Sequence, residues 1–167
     1  KRRATEIQGL NQAVRNAADA QAYLATTEGA MEEVHTILLR IRELSVQASN
    51  GTYTAQDRVA LQAEVTDLQS EINRIATDTT WNNIGVLSGA ASTGITFQLG
   101  ADNTQTMTVS ISRITISAMG INISTANQLT AASTAMAYIS TIDAAISVVS
   151  TRRGTYAAAM NRLDHAI

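Results

Sequence analysis

The chain has 167 residues, 45% of them apolar and 28 of them alanine, with no cysteine, no proline, one Trp, one Phe and four Tyr. Without cysteine there is no disulfide framework, thiol chemistry or Cys-ligated metal, and so few aromatics argue against a thick globular core. Twelve basic against fourteen acidic residues leave a net charge of −2, without the basic excess of a general nucleic-acid binder.

Alanine without proline is what long, closely packed helices use, and the expected fold class is mainly α, an elongated rod forming a single domain over 1–167. Residues 1–50 read as one long helix. Its apolar positions are Ile7, Leu10, Val14, Ala17, Leu24, Met31, Val34, Leu38, Ile41, Leu44 and Ala48, mostly three or four apart and so on one face. Asn50-Gly51 is read as its stop, residues that tolerate a positive φ. Residues 54–78 form the second helix, with Thr54 as cap and Asp57 near the positive end of the helix dipole. Leu61, Val65, Leu68, Ile72 and Ile75 give it a heptad seam.

From Trp81 the period changes. Ile95, Phe97 and Leu99 alternate with polar residues, as do Met107, Val109 and Ile111, which predicts a β-hairpin region over 95–117 joined through Gly100–Thr104. The last helix is expected over 127–167. Its seam runs through Leu129, Ala132, Met136, Ile139, Ile142, Ile146, Val149, Tyr156, Met160, Leu163 and Ile167. Arg153 interrupts the seam as a register-fixing or snorkelling residue. Long helices at both ends place the two chain ends side by side, antiparallel and coiled-coil-like. No run reaches the ~18–20 apolar residues of a membrane span, so no membrane insertion is expected. The chain starts at Lys1 in mid-pattern, which reads as a piece of a longer protein.

No catalytic constellation emerges, and the chain is read as not an enzyme, with no cofactor and no metal. His35 and His165 lack a partner at HExxH spacing. Glu28, Glu32 and Glu33 read as a solvated helix face. Gly85, Gly89 and Gly94 lack the order of a phosphate-binding loop. Helical seams without a site point to assembly.

At Glu28-Gly29-Ala30 and along Leu39-Arg40-Ile41-Arg42-Glu43-Leu44-Ser45-Val46-Gln47-Ala48-Ser49-Asn50-Gly51-Thr52 the sequence closely resembles bacterial flagellin. The resemblance continues through Asp57-Arg58, Gln62-Ala63-Glu64-Val65 and Glu71-Ile72-Asn73-Arg74-Ile75-Ala76. It resumes at Ile142-Asp143, Ala145-Ile146, Val149-Ser150, Arg153 and Asn161-Arg162-Leu163. It implies the rod domain of a flagellar filament subunit: two N-side helices, a β-hairpin and one C-side helix. The family's terminal segments and its large variable outer domains are expected to be missing.

The resemblance also implies location and partners. Such subunits are exported without a signal peptide by the flagellar secretion system and self-assemble in the extracellular filament. A full-length chain would be a homo-oligomer, and this piece a monomer. A vertebrate Toll-like receptor reads the rod in many bacteria, and an export chaperone binds a C-terminal segment. The positions matching the protofilament and receptor interface are Arg40, Leu44 and Glu64, with Glu43 and Gln47 beside them. Departures from the family pattern are Leu39, Ser45, Ala157, Met160 and Trp81-Asn82-Asn83 in place of a Phe-Asn-Gly turn. Two alternatives stand beside this reading: a hook-associated junction protein, and a glycan-binding module using the hydroxyl-rich hairpin.

Overall fold

The computed structural model describes residues 2–120 and 128–165; the expected seam end Ile167 and the helix start at 127 lie outside them. Helix α1 runs Arg2–Ser49 as 48 unbroken residues, about 72 Å at ~1.5 Å per residue. Helix α2, Ala55–Asp78, returns alongside its C-terminal half. Two small antiparallel hairpins follow. In the first, β1 (Thr80–Trp81) pairs with β2 (Ile84–Gly85); in the second, β3 (Ile95–Gln98) pairs with β4 (Thr106–Val109). A 3-10 turn at Ser117–Met119 leads towards α3, Ala132–Asp164, which packs antiparallel along α1.

The α1–α3 seam is regular. On α1 the buried positions Ala17, Ala20, Leu24, Thr27, Met31, Val34, Leu38, Ile41, Ser45 and Ala48 alternate by threes and fours, the spacing that keeps one stripe facing a partner helix. The hydroxyls of Thr27 and Ser45 donate back to Tyr23 O and Ile41 O, at 2.9 and 2.7 Å, so the seam holds them without an unpaired polar atom. On α3 the buried set is Ala135, Tyr138, Ile142, Ala145, Val149, Tyr156 and Leu163. This corrects the expected stripe. Met136 is 62% exposed, and Ile139, Ile146 and Met160 only flank the seam. Ranking positions by side-chain size misplaced the stripe, because the helices approach each other over alanines.

Polar pairs set the register. Gln21 bonds Asp164, Arg153 Nε donates to Glu28 Oε1 at 2.6 Å, and Arg42 Nε donates to Asp143 Oδ1 at 2.6 Å. Arg153 therefore crosses to α1, while Arg152 Nη1 reaches Arg113 O at 2.6 Å. Ile7, Leu10 and Val14 lie beyond the stretch of α1 that faces the described residues of α3, and they are exposed in this structure. By length and composition alone α3 is long and apolar enough to cross a membrane, its most apolar 18 residues having a mean hydropathy of 1.3. In the fold its buried stripe faces the core instead.

The end of α1 differs from the expected chemistry, whereas the start of α2 follows it. Gly51 does not adopt a positive φ. Instead Arg58 takes the C-terminal carbonyls of α1, donating from Nε to Ala48 O at 2.8 Å and from Nη2 to Asn50 O at 2.9 Å. At the start of α2, Thr54 Oγ1 accepts the Asp57 amide and Asp57 Oδ2 accepts the Thr54 amide, at 3.2 and 2.9 Å, a reciprocal capping box. Helix α3 starts at Ala132 rather than 127. Leu129 is buried in an irregular approach, its amide donating to Gln62 Oε1 at 2.8 Å.

The turn of the first hairpin is Asn82-Asn83, with φ of 48° and 61°. Two consecutive positive φ values are what a type I′ turn requires, and asparagine tolerates them. In the second hairpin Met107 and Val109 are buried while Thr106 and Thr108 face water. Phe97 meets the Tyr23 ring at 6.0 Å. Beyond β4, Ile111, Ile114 and Ile116 are fully buried without forming a strand. Their amides donate to Ala91 O, Leu87 O and Asn73 Oδ1 respectively.

Candidate functional site

The five residues singled out from the sequence lie where α1 and α2 run together, and the fold divides them. Arg40 is on the outside of α1. Its Nη1 donates to Glu43 Oε2 at 2.6 Å, one turn along, and its Nε to Glu64 Oε1 of α2 at 2.9 Å. Those carboxylates, Glu43 first and then Glu64, hold the Arg40 guanidinium above its already high ordinary value. The three side chains remain largely solvated, so the network orients groups more than it stabilises the fold. Gln47 Nε2 donates to the Tyr53 hydroxyl at 2.6 Å, tying α1 to the turn.

Leu44 behaves differently. It is 1% exposed and belongs to the core, so it supports this face from beneath. The exposed apolar surface comes from residues that sequence reasoning gave no such role. Leu39 and Val46, 46% and 45% exposed, flank Arg40 and Glu43 along a shallow depression that also includes Thr36 and Arg42. Their signal was present as spacing: Leu39, Glu43 and Val46 fall at i, i+4 and i+7, on one helix face. The result is a mixed surface of two exposed apolar side chains around an arginine, a residue type enriched at interface hot spots.

Among the described residues no group of three or more His, Asp or Glu is placed to hold a metal ion. Glu32 and Glu33 share a shallow groove with Glu71 between α1 and α2. His35 is half-buried on α1, and His165 is an exposed residue just past the end of α3.

Comparison with known proteins places this geometry. The profile of the bacterial flagellin N-terminal helical region matches residues 2–92. A flagellar filament core protein of Brachyspira hyodysenteriae is 36% identical over 96% of this chain, and a flagellin of Halalkalibacterium halodurans is 38% identical over 97%. The chain spans 60% and 59% of the lengths of those two relatives. The crystal structure of Bacillus cereus flagellin superposes with a TM-score of 0.77 at 34% identity, covering 92% of this chain and 86% of that one. A structure of a putative flagellar hook-associated protein from Vibrio parahaemolyticus gives a TM-score of 0.80 at 16% identity, covering 99% and 85%. That second likeness is one of fold alone.

Proposed function

This chain belongs to the bacterial flagellin family, whose members are structural rather than enzymatic, and from that premise we propose that it is the rod of a flagellar filament subunit. The single observation that carries the reading is the α1–α3 seam, three helices and small hairpins in the arrangement of a flagellin at 34% identity. In this reading residues 1–167 act as one rod domain. The full-length protein passes unfolded through the flagellar secretion system and assembles with copies of itself outside the cell. A chain without cysteine or proline suits such export, since neither disulfide exchange nor prolyl isomerisation can delay refolding.

The face built by Arg40, Glu43, Gln47 and Glu64, with Leu44 beneath it, is the proposed contact for neighbouring protofilaments and for a vertebrate Toll-like receptor. Leu39 and Val46 supply its apolar part. An export chaperone would act on a C-terminal segment beyond this chain.

The test is assembly. The full-length protein, expressed in a flagellin-deleted host, is expected to give filaments under the electron microscope and restored swimming. A protein that decorates only the hook-filament junction, leaving no filament, would instead favour the hook-associated reading. Substituting Leu39 and Arg40 together should reduce filament yield while the isolated rod keeps its melting temperature.

A further inference from the structure

Asn50-Gly51 is the one Asn-Gly pair in the chain, and it opens the turn between α1 and α2. The backbone gives no reason for that glycine. Gly51 is not among the residues with positive φ, and a Cβ there would meet nothing within 4 Å.

The turn supplies a chemical arrangement instead. Tyr53 N–H donates to Asn50 O at 3.3 Å, and the Asn50 side chain curls over the same turn so that Oδ1 accepts the Thr52 amide at 3.2 Å. This Asx turn directs the side-chain carbonyl along the chain that follows it, and the hydrogen-bonded ring it closes contains both Asn50 Cγ and the Gly51 nitrogen. The Gly51 N–H itself donates to no acceptor among the described residues. The oxygen of the same peptide unit, Asn50 O, also receives Arg58 Nη2 at 2.9 Å. A cationic donor on a peptide oxygen is a strong one; it draws electron density from the peptide nitrogen and makes its N–H more acidic.

We propose that Asn50 is a site of spontaneous deamidation in the folded chain, with the Gly51 nitrogen as nucleophile. Hydroxide removes the Gly51 N–H proton, and the nitrogen bonds to Asn50 Cγ. The carbonyl electron pair moves onto Oδ1, where the Thr52 amide meets the developing negative charge as an oxyanion donor does. Collapse breaks the Cγ–Nδ2 bond, and the nitrogen leaves as ammonia after taking a proton from water. Water then opens the resulting succinimide at either carbonyl, giving aspartate or isoaspartate. The missing Cβ at Gly51 keeps the approach clear.

Either product places a carboxylate at the C-terminal end of α1, where the helix dipole disfavours negative charge. Isoaspartate also adds a methylene group to the main chain of the turn. That addition displaces Asn50 O relative to Ala48 O, the two carbonyls that Arg58 bridges. The α1–α2 connection therefore loosens as the protein ages.

The experiment holds the purified protein in mildly alkaline buffer and follows each asparagine by peptide mapping and mass spectrometry, with an isoaspartate assay. Conversion is expected first at Asn50, with both products present. Gly51→Ala should slow it roughly tenfold, the equivalent of about 1.4 kcal/mol on the barrier, and leave the helix signal intact because the added methyl has open space. The same protein unfolded in urea gives the reference rate, and the folded chain is expected to react at least as fast. A folded rate below the unfolded one would overturn the proposal. So would a Gly51→Ala rate equal to that of the unsubstituted chain, or earlier conversion at the exposed helical residues Asn11 or Asn161.

Discussion

Tyr138 and Tyr23 bury the same aromatic hydroxyl towards opposite ends of the rod, with different outcomes. Where three helices run together, the Tyr138 hydroxyl accepts from Gln69 Nε2 of α2 at 2.6 Å. Nearby buried polar groups there are also matched, Gln62 to the Leu129 amide and Ser45 to Ile41 O. At the hairpin end the Tyr23 hydroxyl is buried without a partner, as is Glu28 Oε2. The difference follows from the elements available. A second helix offers long amide side chains at seam spacing, whereas β3 presents Phe97, a ring with no acceptor. The rod thus matches a buried tyrosine hydroxyl at its three-helix end and leaves one unmatched at its hairpin end.

The comparison breaks most severely in the α3 seam. Ile142→Asp puts an unpaired charge into the apolar layer facing α1, where Ile142 is fully buried. The expected loss exceeds about 4 kcal/mol, enough to unfold a marginal rod. Met136→Asp, six residues earlier on the exposed face of the same helix, should change stability by no more than about 0.5 kcal/mol. Urea titrations of the two variants check the contrast. Equal losses would mean that the α3 stripe is misassigned.

The tyrosines themselves come next. Burial pushes both hydroxyls up to about 12, with the nearby Tyr156 adding to the rise at Tyr23 and the Gln69 bond opposing it at Tyr138. An unfolded tyrosine titrates near ~10. A raised folded value means that the stabilisation is fully present below pH ~10 and is lost as pH climbs towards 12. At ~1.4 kcal/mol per unit, each tyrosine contributes on the order of 3 kcal/mol to that loss. Helix signal against pH should therefore fall in this window, and a Tyr23→Phe, Tyr138→Phe double variant should flatten the fall. At neutral pH the single variants separate the two ends. Tyr138→Phe strands the Gln69 amide and should cost about 1–3 kcal/mol, whereas Tyr23→Phe removes an unpaired group and should be neutral or stabilising.

A smaller effect tests the turn at the three-helix end. Thr54→Ala removes the side-chain half of the capping box and should cost about 1 kcal/mol. The Thr54 hydroxyl, and then its amide, hold the Asp57 carboxyl below the usual carboxylate range. A lowered folded value gives stabilisation that is present above pH ~4 and lost as pH falls through the folded value. Thermal melts at neutral and acid pH should differ less in Thr54→Ala than in the unsubstituted protein.

The same contrast between helical and hairpin ends governs how far the sequence could be read. Leu24, Met31, Val34, Leu38 and Ile41 announced the α1 stripe because large apolar residues recur there at helical spacing. Helix α3 hid its stripe, since Ala135 and Ala145 line the contact while the larger Met136 points outward. Asn82-Asn83 carried a legible turn signal, but strands of two residues leave no alternation to find. The irregular path of Ile114 and Ile116 left no local signal, because their amides bond to partners distant in sequence, Leu87 O in a loop and Asn73 Oδ1 on α2. At the candidate face, charge and motif pointed to Arg40, Glu43 and Glu64. The motif put Leu44 at the interface while its spacing put it in the buried stripe with Leu38, Ile41 and Ala48, and in the fold it is buried whereas Leu39 is exposed.

The smallest expected effect on stability is the most informative for that face. Arg40 bridges Glu43 and Glu64 across water-exposed surface, where screening and side-chain entropy cancel most of the attraction. Arg40→Ala, Glu64→Ala and the double variant should melt together with the unsubstituted rod. Raising the salt towards 1 M, where the screening length shrinks to ~3 Å, should leave that agreement unchanged. If the same substitutions reduce filament growth or receptor binding, the network acts by presenting the guanidinium between Leu39 and Val46, since folding would then be excluded as the cause. A matching fall in melting temperature would instead make the bridge part of the α1–α2 packing, and the three-helix end would owe its stability to its surface as well as to its seam.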